Sequence, residues 1–98
     1  MNLSHLQFDT GHGAEITPDG VHHPRRAEDP QGEWELREMQ QCVGGLIQKV
    51  RVVGRPDLVL LVNEEGRIHR LPANLEASRL AGHAVVGRAL LVRAKDFT

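Results

Sequence analysis

The chain has 98 residues, 40% of them hydrophobic but only 3% aromatic, and a formal net charge of −1. That length fits one domain, and the near-neutral balance excludes bulk electrostatic capture by nucleic acid or membrane. The single cysteine, Cys42, excludes an internal disulfide and a cysteine-based zinc site.

Charge is unevenly placed along the chain. Residues 1–45 hold eight acids against three arginines, a net of −5, whereas residues 46–98 hold nine Lys or Arg against five acids, a net of +4. With Phe8, Trp34 and Phe97 the only aromatics, the core must come from aliphatic side chains. The opening residues, MNLSHLQFDTGHG, show neither the basic nor the apolar region of a signal peptide. No apolar run approaches the ~18–20 residues of a membrane span. A cytoplasmic protein is expected.

In chain order, residues 1–13 read as an N-terminal extension open to joining the sheet, with LQF as a possible short strand and GHG as loop. A single α+β domain then occupies residues 14–98. AEITPDGVHHP reads as a hairpin: in TPDG, proline presets φ and glycine tolerates the positive φ of the turn. Pro24 ends its second strand near a sheet edge, and RRAEDPQG is a polar linker. A main helix is predicted over about residues 33–43. It is carried by Leu36, Met39, Cys42 and Val43 at helical spacing, with Glu33 and Glu35 in the first turn, Asp29 as a displaced cap, and Gly44 and Gly45 as the stop.

LIQKVRVV follows as a strand with Leu46, Val50 and Val52 on one face and Lys49 and Arg51 on the other. GRPD turns the chain into LVLLV, apolar at every position and so a strand covered on both faces. NEEG predicts a hairpin, with RIHRL as the return strand placing Arg67 and His69 together on its solvent side. ANLEASRLAG predicts a short helix over about 75–81, with Asn74 as N-cap, Leu75 and Leu80 inward and Gly82 as the stop. HAVVGRALLVRAK supplies a final strand pair or one long strand, with Gly87 at a bulge. The fold class is therefore α+β: a mainly antiparallel sheet of four to six strands with one main and one short helix.

The segments EMQQCVGGLIQKV, LVNEEGRIHRLPANLEAS and AVVGRALLV, in this order, resemble the family of domain of unknown function 3846. Its members are short proteins of bacteriophages, actinobacteria and their mobile elements. The resemblance covers roughly residues 14–94 and implies a fold and an origin, but no enzymatic activity. HHPRR and the first thirteen residues fall outside it.

Candidate chemistry is sparse. Glu64 and Glu65 are neighbouring carboxylates in a turn, where solvation is the ordinary role of such residues. His22 and His23 would point to opposite faces of a strand, and no ligand-spaced histidine set appears, so no metal and no cofactor is expected. Cys42, on the apolar side of a helix, reads as packing rather than as a nucleophile. There remains a basic group, Arg67, His69, Arg70, Arg79 and His83, which Asn63 and Asn74 could supplement. The planar fork of arginine suits phosphate and carboxylate, while a solvated rim of surface ion pairs with Glu64, Glu65 and Glu76 is the bland alternative.

Two functions follow as expectations. One is a small non-enzymatic binding protein that occupies a host protein or sequesters an anionic, nucleotide-like signal. The other is a small hydrolase of a phosphorylated substrate, using Glu64 or Glu65 with a histidine. The absence of stacking aromatics beside the basic residues disfavours nucleic acid. Homo-oligomerisation is expected because LVLLV and AVVGRALLV exceed what two short helices would cover.

Overall fold

Five short strands, of which LVLLVN and ALLVR are the most aliphatic, pair into one sheet. A computed structural model describes residues 8–97. Strands β1 (His12–Ile16), β2 (His22–Arg26), β3 (Ile47–Arg51), β4 (Leu58–Asn63) and β5 (Ala89–Arg93) lie in the order β2-β1-β5-β4-β3. Every neighbouring pair is antiparallel. Helices α1 (Leu36–Val43) and α2 (Leu75–Ala81) pack on opposite faces. The expected α+β class, strand number and short helix all hold.

β4 is buried at all six positions, as an unbroken apolar run predicts for a strand covered on both sides. Its alternation divides the core in two. Leu58, Leu60 and Val62 meet Ile16, Val50, Leu91, Ala77 and Leu80 beneath α2. Val59 and Leu61 meet Leu90, Val92, Met39, Cys42 and Val43 beneath α1. The sheet faces that suggested association are thus covered within the single chain. Among the described residues, no helix is long and apolar enough to cross a membrane.

α1 begins at Leu36 rather than at residue 33. The Asp29 carboxylate accepts from the backbone N–H groups of Gln31 (2.9 Å) and Glu33 (3.2 Å), holding a turn where helix was expected. Glu35 is the N-cap, in a reciprocal capping box with Glu38. Met39, Cys42 and Val43 face inward, but Leu36 lies at the open end and is exposed. Gly44 and Gly82 end the two helices in the left-handed region, at φ 82° and 76°, where a Cβ is costly.

Several expectations are corrected. His12 and Gly13 of GHG belong to β1, not to a loop; a Cβ at Gly13 would stand 2.6 Å from the Leu91 carbonyl oxygen, so a glycine permits this close strand approach. β2 does not end at Pro24 but runs on through Arg25 and Arg26, which were expected in the linker. Thr17 N–H bonds Val21 O and Ala27 N–H bonds Gly11 O in the same register, so alternation leaves Pro24 in a non-hydrogen-bonded pair. Its missing N–H would have faced solvent, which is why an edge strand tolerates it. Leu46 and Leu75 are exposed, the first preceding β3 and the second opening α2 on its outer side. Gly87 lies in a bend before β5 at φ 78°, after an isolated Ala73–Val86 bridge, so the C-terminal segment is one five-residue strand. Of LQF, Leu6 and Gln7 lie outside the described residues, and Phe8 is in no strand.

Candidate binding hollow

The largest departure from expectation creates the site. RIHRL is not a return strand: residues 64–70 form a turn. The Asn63 side chain accepts from Glu65 N–H (2.8 Å), as an N-cap does. One helical turn follows, with His69 N–H bonding Glu65 O (3.1 Å). It closes with Arg70 N–H on Arg67 O (3.1 Å) and Leu71 N–H on Gly66 O (3.0 Å). That bond pair is the helix-end pattern usually completed by glycine, and Arg70 adopts its left-handed conformation at φ 54°. Arg67 and His69 therefore do not share a strand face, and Ile68 is 75% exposed.

This turn faces the loop after α2 across the edge of the sheet. Between them is a hollow of about 260 Å³. Its apolar wall is Val50, Val62, Val85 and Val86, and its polar lining includes Gln48, Asn63, Glu64, Arg67 and His83. Of the basic residues singled out from the sequence, the structure brings Arg67 and His83 together here. His69, Arg70 and Arg79 are exposed and do not line it.

The two asparagines serve the fold. Asn63 is buried; its amide nitrogen donates to Val43 O (3.3 Å), tying the α1 terminus to β4. Asn74 is fully buried. Its oxygen accepts from Ala77 N–H (3.0 Å), capping α2, while its nitrogen donates to Ile16 O (2.9 Å) and Gly87 O (2.8 Å). Asn74 therefore offers no free amide at a rim, which corrects the role expected for it, whereas Asn63 also lines the hollow.

One buried ionic group was not anticipated. Glu15, 4% exposed in β1, accepts from Arg25 Nε (3.0 Å) and Nη2 (2.5 Å), with Arg88 Nη1 3.6 Å away. Its hydrogen bond holds the Arg25 guanidinium more firmly protonated than usual. Burial pushes the nearby Cys42 thiol up to about 11, with the Glu15 charge adding to the effect. A thiol so protonated at neutral pH is a poor nucleophile. Among the described residues, no group of three or more His, Cys, Asp or Glu is placed to hold a metal.

Charge on this surface is mixed, so its chemistry is that of selective contact rather than of a general anion sink. Arg67 supplies a fixed cation, His83 an imidazole, Gln48 an amide and Glu64 a carboxylate that rejects poorly placed anions. The valine wall lowers the local polarity and strengthens a charged contact made against it.

Comparison with known proteins agrees with the order of motifs. A family model described as Domain of unknown function (DUF3846) matches residues 15–98. No curated protein and no solved structure matches the chain. The match runs from the last two residues of β1 through residue 98 and includes the VGG stop of α1, the NEEG turn and the LPAN cap, so the chain belongs to the DUF3846 family.

Proposed function

We propose that the protein is a non-enzymatic binding protein that takes an acidic group of a protein partner into the Arg67–His83 hollow. The observation supporting this is that Arg67 and His83 line one hollow of about 260 Å³ together with four valines. Small-molecule sites usually occupy ~300–1,000 Å³, so the hollow suits one carboxylate or phosphate group better than a whole nucleotide. Sequestering a nucleotide-like signal would require a second chain to complete the pocket. In the phage or mobile-element setting that the sequence resemblance suggests, occupying a host protein would act as counter-defence.

Calorimetry separates these versions. Titration with a glutamate-rich peptide gives saturable heat that Arg67→Ala and His83→Ala reduce, whereas ADP-ribose and cyclic dinucleotides give none. Heat with a nucleotide and none with the peptide would overturn the protein-partner reading.

A hydrolase is the second reading, favoured by one observation: Glu64 and His83 line the same hollow. Glu65 is placed differently, its N–H held by Asn63 at the start of the turn. Phosphate release from p-nitrophenyl phosphate or nucleotides, abolished by Glu64→Gln, would establish this reading. Release that Glu64→Gln leaves unchanged would remove it.

A further inference from the structure

β3 is an outer strand of the sheet, and its pairing register dictates what its free edge offers. Glu64 N–H bonds Leu46 O in the register that pairs Gln48 with Val62 and Val50 with Leu60. Antiparallel pairs alternate between hydrogen-bonded and non-hydrogen-bonded. Gln48 and Val50 therefore direct their backbone groups at β4, and Ile47, Lys49 and Arg51 direct theirs away from the sheet. Three N–H and three C=O groups thus stand along one line, the arrangement an added strand requires.

Each face of this edge has its own hollow. On the α2 side, Gln48 and Val50 border the Arg67–His83 hollow. On the α1 side, Ile47 borders a larger one of about 500 Å³, lined also by Trp34, Leu36, Met39 and Phe97. The Trp34 Nε1 is buried without a hydrogen-bond partner among the described residues, and Leu36 is 56% exposed. Lys49 lies over the Phe97 ring at 5.9 Å, and Lys95 also borders this hollow. Cations thus stand on both faces of the edge, beside Glu64 on one and Glu33 and Asp96 on the other.

Resting on the proposed binding function, we infer that β3 accepts an extended segment of a partner protein as a sixth strand, with acidic and apolar side chains alternating. A strand has a side-chain period of two. A residue opposite Ile47 falls on the Trp34–Phe97 side, where Trp34, Leu36, Met39 and Phe97 offer apolar and aromatic surface beside the polar Gln31, Glu33 and Asp96. Its neighbour, opposite Gln48, falls beside Arg67 and His83, where a carboxylate is matched. Electrostatics disfavours a second copy of this chain in two of the three central registers, the exception being the one centred on Gln48, which sets Lys49 against Ile47. Antiparallel self-pairing centred on Lys49 sets Lys49 against Lys49, and centring on Val50 sets Lys49 against Arg51; like charges directly opposite destabilise a sheet. The other edge is closed by Pro24, which has no N–H to offer there.

The test uses ¹⁵N-labelled full-length protein and three kinds of probe. These are an octapeptide alternating glutamate with leucine, its lysine–leucine counterpart, and the glutamate peptide N-methylated on odd or on even residues. The glutamate peptide is expected to shift the amide resonances of Ile47, Lys49 and Arg51 together with those of Arg67 and His83. One of the two N-methylated forms binds roughly tenfold more weakly or worse, as loss of on the order of two hydrogen bonds implies. The lysine peptide, which sets like charge against Arg67, also binds more weakly. Lys49→Pro removes an outward N–H without touching a bond to β4, and lowers affinity to a similar extent. Should that variant not fold, the N-methylated peptides test the same contact on the unaltered protein. Shifts at Arg67 and His83 with unmoved edge amides would overturn strand addition and leave the binding function standing. Silence with every peptide would overturn both. A concentration-dependent change at the edge amides without peptide would assign the edge to a second copy and overturn the inference.

Discussion

Replacing Asn74 by alanine separates a structural asparagine from a ligand-binding one. The side chain is fully buried and makes three hydrogen bonds that no neighbour can replace: from Ala77 N–H, and to Ile16 O and Gly87 O. Loss of the cap costs about 1 kcal/mol. Each carbonyl left buried without a donor costs roughly 1–3 kcal/mol. The total, about 3–7 kcal/mol, is a large fraction of the ~5–15 kcal/mol by which a small domain is stable. At ~4–8 °C per kcal/mol for a domain of this size, the melting temperature of Asn74→Ala falls by at least about 12 °C. Asn74→Ser retains an acceptor for the cap but loses both donors, and is expected to lie between the two. Urea unfolding followed by circular dichroism measures all three proteins, with the slope m held constant as the check on two-state behaviour. A loss under about 1 kcal/mol for Asn74→Ala would refute the reasoning. So would a stable Asn74→Ala protein that no longer binds the glutamate peptide, because it would return this residue to the binding surface.

Three further perturbations follow from named contacts. Gly13→Ala places a Cβ 2.6 Å from the Leu91 carbonyl oxygen, so the urea midpoint drops by the equivalent of about 1–3 kcal/mol; an unchanged midpoint would contradict the close β1–β5 approach. Arg70→Gly relieves a left-handed residue at φ 54° and raises stability by about 0.5–1 kcal/mol after the entropy of glycine is counted; destabilisation would mean that the Arg70 side chain holds the turn. Burial raises the Cys42 thiol from 9.0 to about 11, so its stabilising contribution is complete below 9.0 and fades as pH climbs to about 11. At about 1.4 kcal/mol per tenfold change in proton affinity, on the order of 2–3 kcal/mol is lost across that range. Melting curves for wild type and Cys42→Ala should therefore converge in alkali, and parallel pH profiles would refute the assignment.

How far the sequence could be read depended on whether the deciding force was local. LVLLV reads as a doubly covered strand because no polar residue interrupts it, and TPDG, Asn74 and the terminal glycines carry backbone preferences that act within a few residues. NEEGRIHRL was ambiguous on the same local evidence. Asn followed by two glutamates is a helix-start signal as well as a hairpin turn, and only Val86 and the loop after α2, distant in sequence, give the helical turn a surface to sit on. The basic rim failed in part for a related reason: His69 and Arg70 owe their directions to the left-handed Arg70, a conformation sequence patterns assign to glycine. Glu15 shows the opposite limit. A lone carboxylate between Ala14 and Ile16 looks like the solvent side of a hairpin, and its burial depends on Arg25 in the next strand and Arg88, 73 positions away. Asn63 and Asn74 were legible as important residues, but their partners, and hence their structural roles, are tertiary.

The central claim is that the Arg67–His83 hollow selects an acidic group on a partner. Charge reversal at Arg67 tests it most directly, with the glutamate–leucine and lysine–leucine octapeptides titrated against wild type and Arg67→Glu. The account predicts that the wild-type protein prefers the glutamate peptide and that Arg67→Glu, with an unchanged melting temperature, prefers the lysine peptide. An Arg67→Glu protein that still favours the glutamate peptide would contradict it.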